Sequence, residues 1–218
     1  MTGGAVVDEK FCFKVEIDLT VRKTSVFYPG DAFLVYDPQG EIIFRFDSYG
    51  PESQPKDELV LMDASGKCLL SLLRKKPSLH QRWDGYLGER NEANHQDPIF
   101  SVSKSTIIGR SSLVVEVCGD PGEEYQIEGN YSRRRCMIYN TTSLEDPSSK
   151  DPVAEIKRKV DPTTKVMLGK DVFWLRVKPG LDAAFAMGLV LILDQMYGDS
   201  DDSNADDVDP NIDDISFS

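Results

Sequence analysis

Short hydrophobic runs recur along most of the chain, and several of them alternate with polar residues. From Phe11 to Leu19 every second residue is apolar, and Ile42 to Phe46 repeats this pattern. A period of two is typical of a β-strand with one buried face. Turn residues separate most runs, which predicts about a dozen strands in a sandwich or barrel. The remaining runs are Ala32–Tyr36, Leu59–Met62, Cys68–Leu73, Gln81–Leu87, Ile99–Ser103, Leu113–Cys118, Tyr125–Tyr131, Cys136–Tyr139, Val153–Lys159 and Val172–Val177.

Two turns of similar sequence punctuate these runs. Asp37-Pro38-Gln39-Gly40 and Asp63-Ala64-Ser65-Gly66 lie 26 residues apart between apolar segments. An Asp at the start of a turn accepts backbone N–H groups, and Gly three residues later suits a positive φ. Both segments are therefore predicted to be hairpins with a type I turn and a bulge. Cys118–Glu123 predicts a third hairpin turn.

A different pattern begins at Asp182. Eleven apolar residues run from Ala183 to Leu193 without a break, which predicts a helix that is buried on all sides. Asp182 is the expected N-cap and Gly198 the expected C′ residue. The apolar run is shorter than the roughly 18–20 residues that cross a bilayer, so burial in protein is favoured.

The strand count and the buried helix together predict the fold. A barrel of eleven or twelve strands leaves a hole near the width of one helix. We therefore expect a closed antiparallel β-barrel of about 12 strands around a central hydrophobic C-terminal α-helix at about 182–197. The predicted organisation is a flexible N-terminus at 1–9, a barrel domain at 10–198 and a disordered acidic tail at 199–218.

The charge is unevenly distributed. The net charge is −12, but residues 199–218 hold eight Asp and no Lys or Arg, so 1–198 has 29 acidic and 25 basic residues, a net of −4. General nucleic-acid binding is disfavoured, because it needs a concentrated basic surface. The tail is expected to be a disordered extension that is solvated. A more specific alternative is that it mimics an anionic ligand within the molecule and screens one basic cluster.

The cysteines and the N-terminus favour an intracellular location. The four cysteines are far apart, which predicts four buried free thiols in a reducing compartment. The N-terminus lacks the basic and apolar regions of a signal peptide. We expect a cytoplasmic protein without a transmembrane segment, at the plasma membrane surface or in the nucleus for part of its population, and a monomer rather than an oligomer.

Several of these motifs resemble the plant LURP-one-related family. They are the hairpins at Asp37–Gly40 and Asp63–Gly66, the segment Arg82-Trp83-Asp84-Gly85-Tyr86, and Lys178-Pro179-Gly180-Leu181-Asp182 before the helix. The resemblance covers roughly residues 10–198. The family is similar to the tubby C-terminal domain and the phospholipid scramblases, which implies a twelve-stranded barrel around a helix. It also implies phosphoinositide binding, membrane-tethered transcription regulation and plant defence, and it implies no defined reaction.

The candidate binding residues are three basic clusters, and no catalytic, cofactor or metal site is expected. The two histidines, His80 and His95, lie in polar segments and are expected to be solvated, while Trp83 and Trp174 are expected to serve packing. Lysine and arginine bind phosphate oxygens, and the alternative is that each cluster is an ordinary solvated strand end. The clusters that could meet an anionic headgroup are Arg74, Lys75 and Lys76; Arg133, Arg134 and Arg135; and Lys157, Arg158 and Lys159.

The leading functional prediction is a non-enzymatic regulatory module that binds a membrane lipid or a protein partner. Two alternatives stay open, a phospholipid-translocating activity and a protein-interaction scaffold with no lipid ligand. A third is an unrecognised enzyme or small-ligand carrier with a cavity beside the helix.

Overall fold

Twelve strands and one α-helix make up the described part of the chain. The structure, a computed structural model, describes residues 5–24, 32–46, 57–76, 81–90, 96–105, 112–119, 122–142 and 151–198. A short 3₁₀ helix at Glu9–Phe11 precedes the first strand. The strands are β1 (Ile17–Thr24), β2 (Ala32–Tyr36), β3 (Ile42–Phe46), β4 (Glu58–Asp63), β5 (Cys68–Arg74), β6 (Trp83–Leu87), β7 (Phe100–Lys104), β8 (Ser112–Val117), β9 (Glu123–Asn130), β10 (Arg135–Asn140), β11 (Ala154–Arg158) and β12 (Val172–Val177), and α1 is Ala183–Tyr197.

The strands close into a single antiparallel barrel in chain order. Each strand pairs with its neighbours in sequence, and β1 pairs with both β2 and β12. Closure pairs both sides of every strand, so the sheet has no open edge. The predicted closed barrel of about twelve strands is confirmed.

The helix α1 lies inside this barrel. Phe185 packs against Phe100 of β7 and Tyr125 of β9, with ring centroids 5.1 and 5.3 Å apart. Farther along the helix, the nearest side chain to Gly188 is Leu70 of β5. All residues from Ala183 to Asp194 are buried, so the wall encloses the helix on every side, as the unbroken apolar run predicted.

Asp182 caps the helix and also holds the N-terminal segment. Its Oδ1 accepts from the backbone N–H groups of Ala184 and Phe185, at 2.9 and 3.2 Å. Its Oδ2 accepts from those of Val7 and Asp8, at 2.7 and 2.9 Å. One buried carboxylate thus satisfies four backbone donors and fixes the first described residues, which belong to the segment expected to be flexible, against the barrel end.

The two Asp-Gly hairpins have the predicted geometry. Oδ1 of Asp37 accepts from the backbone N–H groups of Gln39 and Glu41, both at 2.9 Å. Gly40 and Gly66 have φ of +87° and +88°, a region in which a side chain would be strained. Each hairpin also has a register shift beside its turn, which is the expected bulge.

Three local predictions were wrong. Phe11 ends the 3₁₀ helix and β1 begins only at Ile17, so Val15 is 70% exposed and the alternation from residue 11 to 16 is not a strand. Gly198 is the C-cap with φ −64°, not a left-handed C′ residue. The four cysteines are free, but they are not all buried. Cys118 is exposed, Cys12 and Cys68 are partly exposed, and Cys136 is buried.

A candidate anion-binding surface

All three predicted basic clusters lie at the same end of the barrel. Odd-numbered strands run towards the end at which α1 finishes, which we call the C-terminal end, and even-numbered strands run back from it. Arg74 ends β5, Arg133–Arg135 joins β9 to β10, and Lys157–Lys159 includes the last residues of β11. The second and third clusters are adjacent, because Arg135 pairs with Lys157. The first lies on the far side of the barrel, since β5 is five strands away from β10.

The middle arginine of the second cluster points into the protein. Arg134 is only 4% exposed and has φ +54°. Its guanidinium lies 4.1 Å from the ring centroid of Tyr131 and 4.4 Å from that of Phe173. Arg134 is therefore unavailable to an external headgroup in this conformation.

Arg134 belongs to a buried polar network around Asp194, the one acidic residue of α1. Its Nη2 lies 3.7 Å from Oδ1 of Asp194, and the Tyr131 hydroxyl donates to the same oxygen at 3.2 Å. Nζ of Lys23 lies 3.0 Å from Oδ2. Burial, with the nearby Asp194 charge, raises the pKa of Tyr131, so this phenol stays a neutral donor. The network ties the end of the helix to β1 and to the β9–β10 turn.

The same arginine positions the neighbouring β11–β12 hairpin. Nε of Arg134 donates to the backbone carbonyl of Lys170 at 2.9 Å. Within the third cluster, Arg158 acts similarly, because its Nη2 donates to the carbonyl of Leu168 at 2.7 Å. Both arginines thus stabilise the hairpin between β11 and β12 by hydrogen bonds to its backbone carbonyls.

Two residues of the first cluster have acidic partners. Nζ of Lys75 lies 3.2 Å from Oδ2 of Asp84, and Nζ of Lys76 lies 2.7 Å from Oδ1 of Asp57. Hydrogen bonding to Tyr86 and then to Asp84 raises the pKa of Lys75, which keeps it paired and charged. Lys75 and Lys76 are therefore paired with carboxylates, although Lys75 shares Asp84 with Arg82 and no ion pair of Arg74 is found among the described residues.

Three residues of the second and third clusters lie with Arg22 on one surface, the outer face of β10, β11, β12 and β1. We call it the Trp174 patch and define it by Arg22, Arg135, Lys157, Lys159 and Trp174. The ladder places Arg135 opposite Lys157 and Lys157 opposite Trp174, while Arg22 pairs with Val172 two residues from Trp174. Neighbours in sequence such as Cys136, Phe173 and Val21 are buried, so alternation directs the five patch residues outward.

Trp174 is the centre of this patch. Its ring is partly exposed, and the Nζ atoms of Lys157 and Lys159 lie 5.8 and 6.0 Å from its centroid. Lys159 also donates to the Thr20 hydroxyl at 2.8 Å. An indole with two ammonium groups near its face offers an apolar surface surrounded by phosphate-binding donors.

The positive charge of the patch is only partly compensated. Glu155 lies 3.1 Å from Lys157, measured from Oε2 to Nζ. Arg22 and Arg135 are exposed and have no ion-pair partner within the described part of the chain. Three of the four cations are thus without an acidic partner in these residues, unlike Lys75 and Lys76.

Sequence reasoning found part of this patch. Arg135, Lys157 and Lys159 were among the candidates, whereas Arg22 was missed and Trp174 was assigned to packing. Trp83 is a core residue with 2% exposure, as expected. Alternation of Thr20, Arg22 and the buried Val21 was a signal that could have placed Arg22 on an outer face. The two histidines lie outside the described residues.

A small cavity of about 150 Å³ lies between β8, β9, β10 and the end of α1. Its lining includes Leu113, Ile127, Cys136 and Leu193, with Asn130 and Ser132 also contributing. Burial raises the pKa of the Cys136 thiol to about 12, so this thiol is not a nucleophile at neutral pH. The volume is comparable to that of a cavity that holds one benzene molecule. Across the described residues, no group of three or more His, Cys, Asp or Glu is placed to hold a metal ion.

Comparisons with known proteins identify close relatives. The family model described as LURP-one-related matches residues 17–194. Protein LURP-one-related 12 of Arabidopsis thaliana is 58% identical over 89% of this chain and 84% of its own length. Protein LURP-one-related 5 of the same plant is 57% identical over 91% and 92%.

A solved structure supports the fold. The X-ray structure of a protein from Arabidopsis thaliana is similar with a TM-score of 0.60 at 24% identity, over 89% of this chain and 99% of that one. Among the described helical residues, none forms a helix of sufficient length and apolarity to cross a membrane.

Proposed function

This chain belongs to the LURP-one-related family, and on that premise we propose that it is a non-catalytic regulatory module that binds anionic phospholipid through the Trp174 patch. The observation that carries the proposal is the arrangement of four cations around one partly exposed indole on a rigid sheet. The barrel serves as the scaffold, and the membrane surface is the ligand.

The chemistry of the patch suits the boundary between water and lipid. Tryptophan is favoured at the membrane–water interface, where its ring is apolar and its N–H remains hydrated. The long apolar stems of Lys157 and Lys159 can follow the surface while their ammonium groups reach phosphate oxygens. Each basic residue near an anionic leaflet contributes about 1 kcal/mol. Four such residues together contribute about 4 kcal/mol, which corresponds to weak and reversible binding with a dissociation constant of about 1 mM.

The distribution of charge favours one orientation of the protein at an anionic membrane. Residues 1–198 have a net charge of −4 and residues 199–218 add eight negative charges, so an anionic membrane repels the protein as a whole. Among the described residues, the face that carries Arg22, Arg135, Lys157 and Lys159 offers a favourable approach. The family resemblance also implies a role in plant defence, which is a further prediction. Recruitment would place the protein at the membrane, where such signalling begins.

Sedimentation with vesicles tests whether anionic lipid is bound. The full chain is mixed with vesicles of phosphatidylcholine alone, and with vesicles that also contain phosphatidylserine or phosphatidylinositol phosphates. We expect binding only when anionic lipid is present, with affinity that falls as salt is added because the interaction is electrostatic. Absence of binding to every anionic vesicle at low salt would refute the proposal and favour the scaffold alternative, in which a protein is the ligand.

A further inference from the structure

The β11–β12 hairpin at residues 160–171 carries two exposed apolar side chains at the C-terminal end. Val166 is 60% exposed and Met167 is 51% exposed. They are adjacent in sequence and belong to the connection that follows Lys159 of the Trp174 patch. Single exposed apolar side chains are common on protein surfaces, but an adjacent pair beside a cationic surface suits contact with the boundary of a lipid layer.

The hairpin is held in shape by its own hydrogen bonds. Oδ1 of Asp161 accepts from the backbone N–H groups of Thr163 and Thr164, at 2.9 and 2.7 Å. The backbone N–H of Asp161 donates to the carbonyl of Val166 at 2.9 Å, and Val160 forms a β-bridge with Met167. One isolated β-bridge and these hydrogen bonds fix the conformation of the hairpin beyond the barrel wall, so the two apolar side chains are presented on a defined structure.

Positive charge surrounds the pair. Residues 157–171 include five basic residues and only two acidic ones, a net of +3, in a protein whose first 198 residues have a net charge of −4. Lys165 and Lys170 are exposed beside the pair, and the carboxylate of Asp161 is engaged in the turn. Val166 and Met167 thus lie on the return arm of the hairpin, directly after the turn that ends at Lys165, with Lys165 and Lys170 on either side.

We infer that Val166 and Met167 form an insertion tip that enters the interfacial region of an anionic bilayer when the Trp174 patch binds phosphate groups. This inference rests on the proposed function and adds the depth and orientation of the bound barrel. Two side chains are too few for a protein interface, which needs about 1,000 Å² of buried surface. They are sufficient to enter the acyl boundary, where flanking lysines keep their ammonium groups at the headgroups.

The first test removes the apolar tip and leaves the charge unchanged. The double variant Val166→Ser/Met167→Ser is compared with wild type in sedimentation with phosphatidylserine vesicles. We expect roughly tenfold weaker binding, because the apolar area that would leave water on insertion is lost. The matched control is Ile42→Ser/Leu87→Ser, which removes two separate exposed apolar side chains at the opposite end of the barrel, where Ile42 is 39% and Leu87 is 47% exposed. The control is expected to bind as wild type does.

The second test measures depth. A tryptophan introduced as Val166→Trp should be quenched by lipids brominated on the acyl chain near the headgroup, whereas Leu87→Trp should give no more quenching than wild type. The insertion tip is refuted if the tip variant binds as well as wild type does and Val166→Trp shows no additional quenching. The hairpin would then be assigned to an acidic protein partner. If wild type does not bind any anionic vesicle, the proposed function itself fails, and the two failures are thereby distinguished.

Discussion

Nζ of Lys23 lies 3.0 Å from Oδ2 of Asp194, and this ion pair joins the first strand of the wall to the last buried turn of the enclosed helix. The carboxylate is 1% exposed and the lysine side chain 15% exposed. The apolar run of α1 explains why the helix is inside, but it gives no fixed position along the barrel axis. The polar network around Asp194 supplies that position at the C-terminal end.

Replacing Asp194 with Ala is expected to lower the free energy of unfolding by about 3 kcal/mol or more. The change removes the carboxylate that the Lys23 ammonium and the Arg134 guanidinium approach, and removal of one partner of a buried pair costs about 3–5 kcal/mol. Denaturant unfolding followed by far-UV circular dichroism measures the change. Asp57→Ala is the control, because Asp57 pairs with the exposed Lys76. Its effect should stay below about 1 kcal/mol, and similar losses in both variants would contradict the assignment.

Asp182 offers a test of the link between the helix and the N-terminal segment. Asp182→Ala should cost about 2 kcal/mol and speed amide exchange at Val7 and Asp8, because four backbone donors lose their acceptor. Asp182→Ser can still cap the helix through one oxygen, so it should recover part of the stability and leave exchange at Val7 and Asp8 fast. Slow exchange at these two amides in Asp182→Ala would show that the segment is held by other contacts.

Stability is expected to depend on pH through Asp18 on the outer face. Oδ1 and Oδ2 of Asp18 lie 2.7 and 2.8 Å from Nε and Nη2 of Arg176. Hydrogen bonding to Arg176 lowers the pKa of Asp18 below its usual value of 3.8. The contribution is therefore fully present above the unfolded pKa and is lost as pH falls through the folded pKa.

Unfolding of wild type and Asp18→Asn at several pH values measures this effect. At neutral pH we expect a loss of up to about 1 kcal/mol in Asp18→Asn, because the pair is partly exposed. The difference between the two proteins should shrink as pH falls below about 4 and disappear once the wild-type carboxyl is protonated. A difference that grows on acidification would contradict the assignment.

The acidic tail is expected to oppose membrane binding. Residues 199–218 contain eight Asp and follow Gly198 at the same end of the barrel as the Trp174 patch. Whether this segment screens the patch or only repels the membrane, its removal should strengthen binding to anionic vesicles by roughly tenfold at low salt. Exchange of the eight Asp for Asn should reproduce the gain with the length of the chain preserved. Unchanged affinity in both variants would remove any role of the tail in binding.

Much of the fold could be predicted from the sequence, because short segments determine their own local structure. The apolar run from Ala183 to Leu193 allowed only complete burial, and the Asp and Gly of each repeated turn defined a hairpin with a bulge. The start of β1 was not predictable in this way. Phe11 alternates with polar neighbours as a strand would, yet the cap at Asp8 and the contact of Val7 with Asp182 fold that segment over the barrel end.

The site was less accessible to sequence reasoning, because it depends on register and on which way each side chain points. Three consecutive arginines look equivalent in sequence, but Arg134 turns inward to Tyr131, Phe173 and Asp194 while Arg135 points outward. Arg22 and Arg135 are 113 residues apart and share one face only because β12 and β11 lie between β1 and β10. No local pattern carries that information.

Two triple variants of the full chain test whether the Trp174 patch is the proposed membrane-binding surface. Arg135→Gln/Lys157→Gln/Lys159→Gln removes three cations of the Trp174 patch, and Arg74→Gln/Lys75→Gln/Lys76→Gln removes three from the opposite side of the same rim. Their net charge is equal, so only position differs. Sedimentation with phosphatidylserine vesicles should show about 100-fold weaker binding for the first variant, from about 1 kcal/mol per cation, and a much smaller loss for the second. Equal losses in the two variants, or a larger loss in the second, would contradict the account.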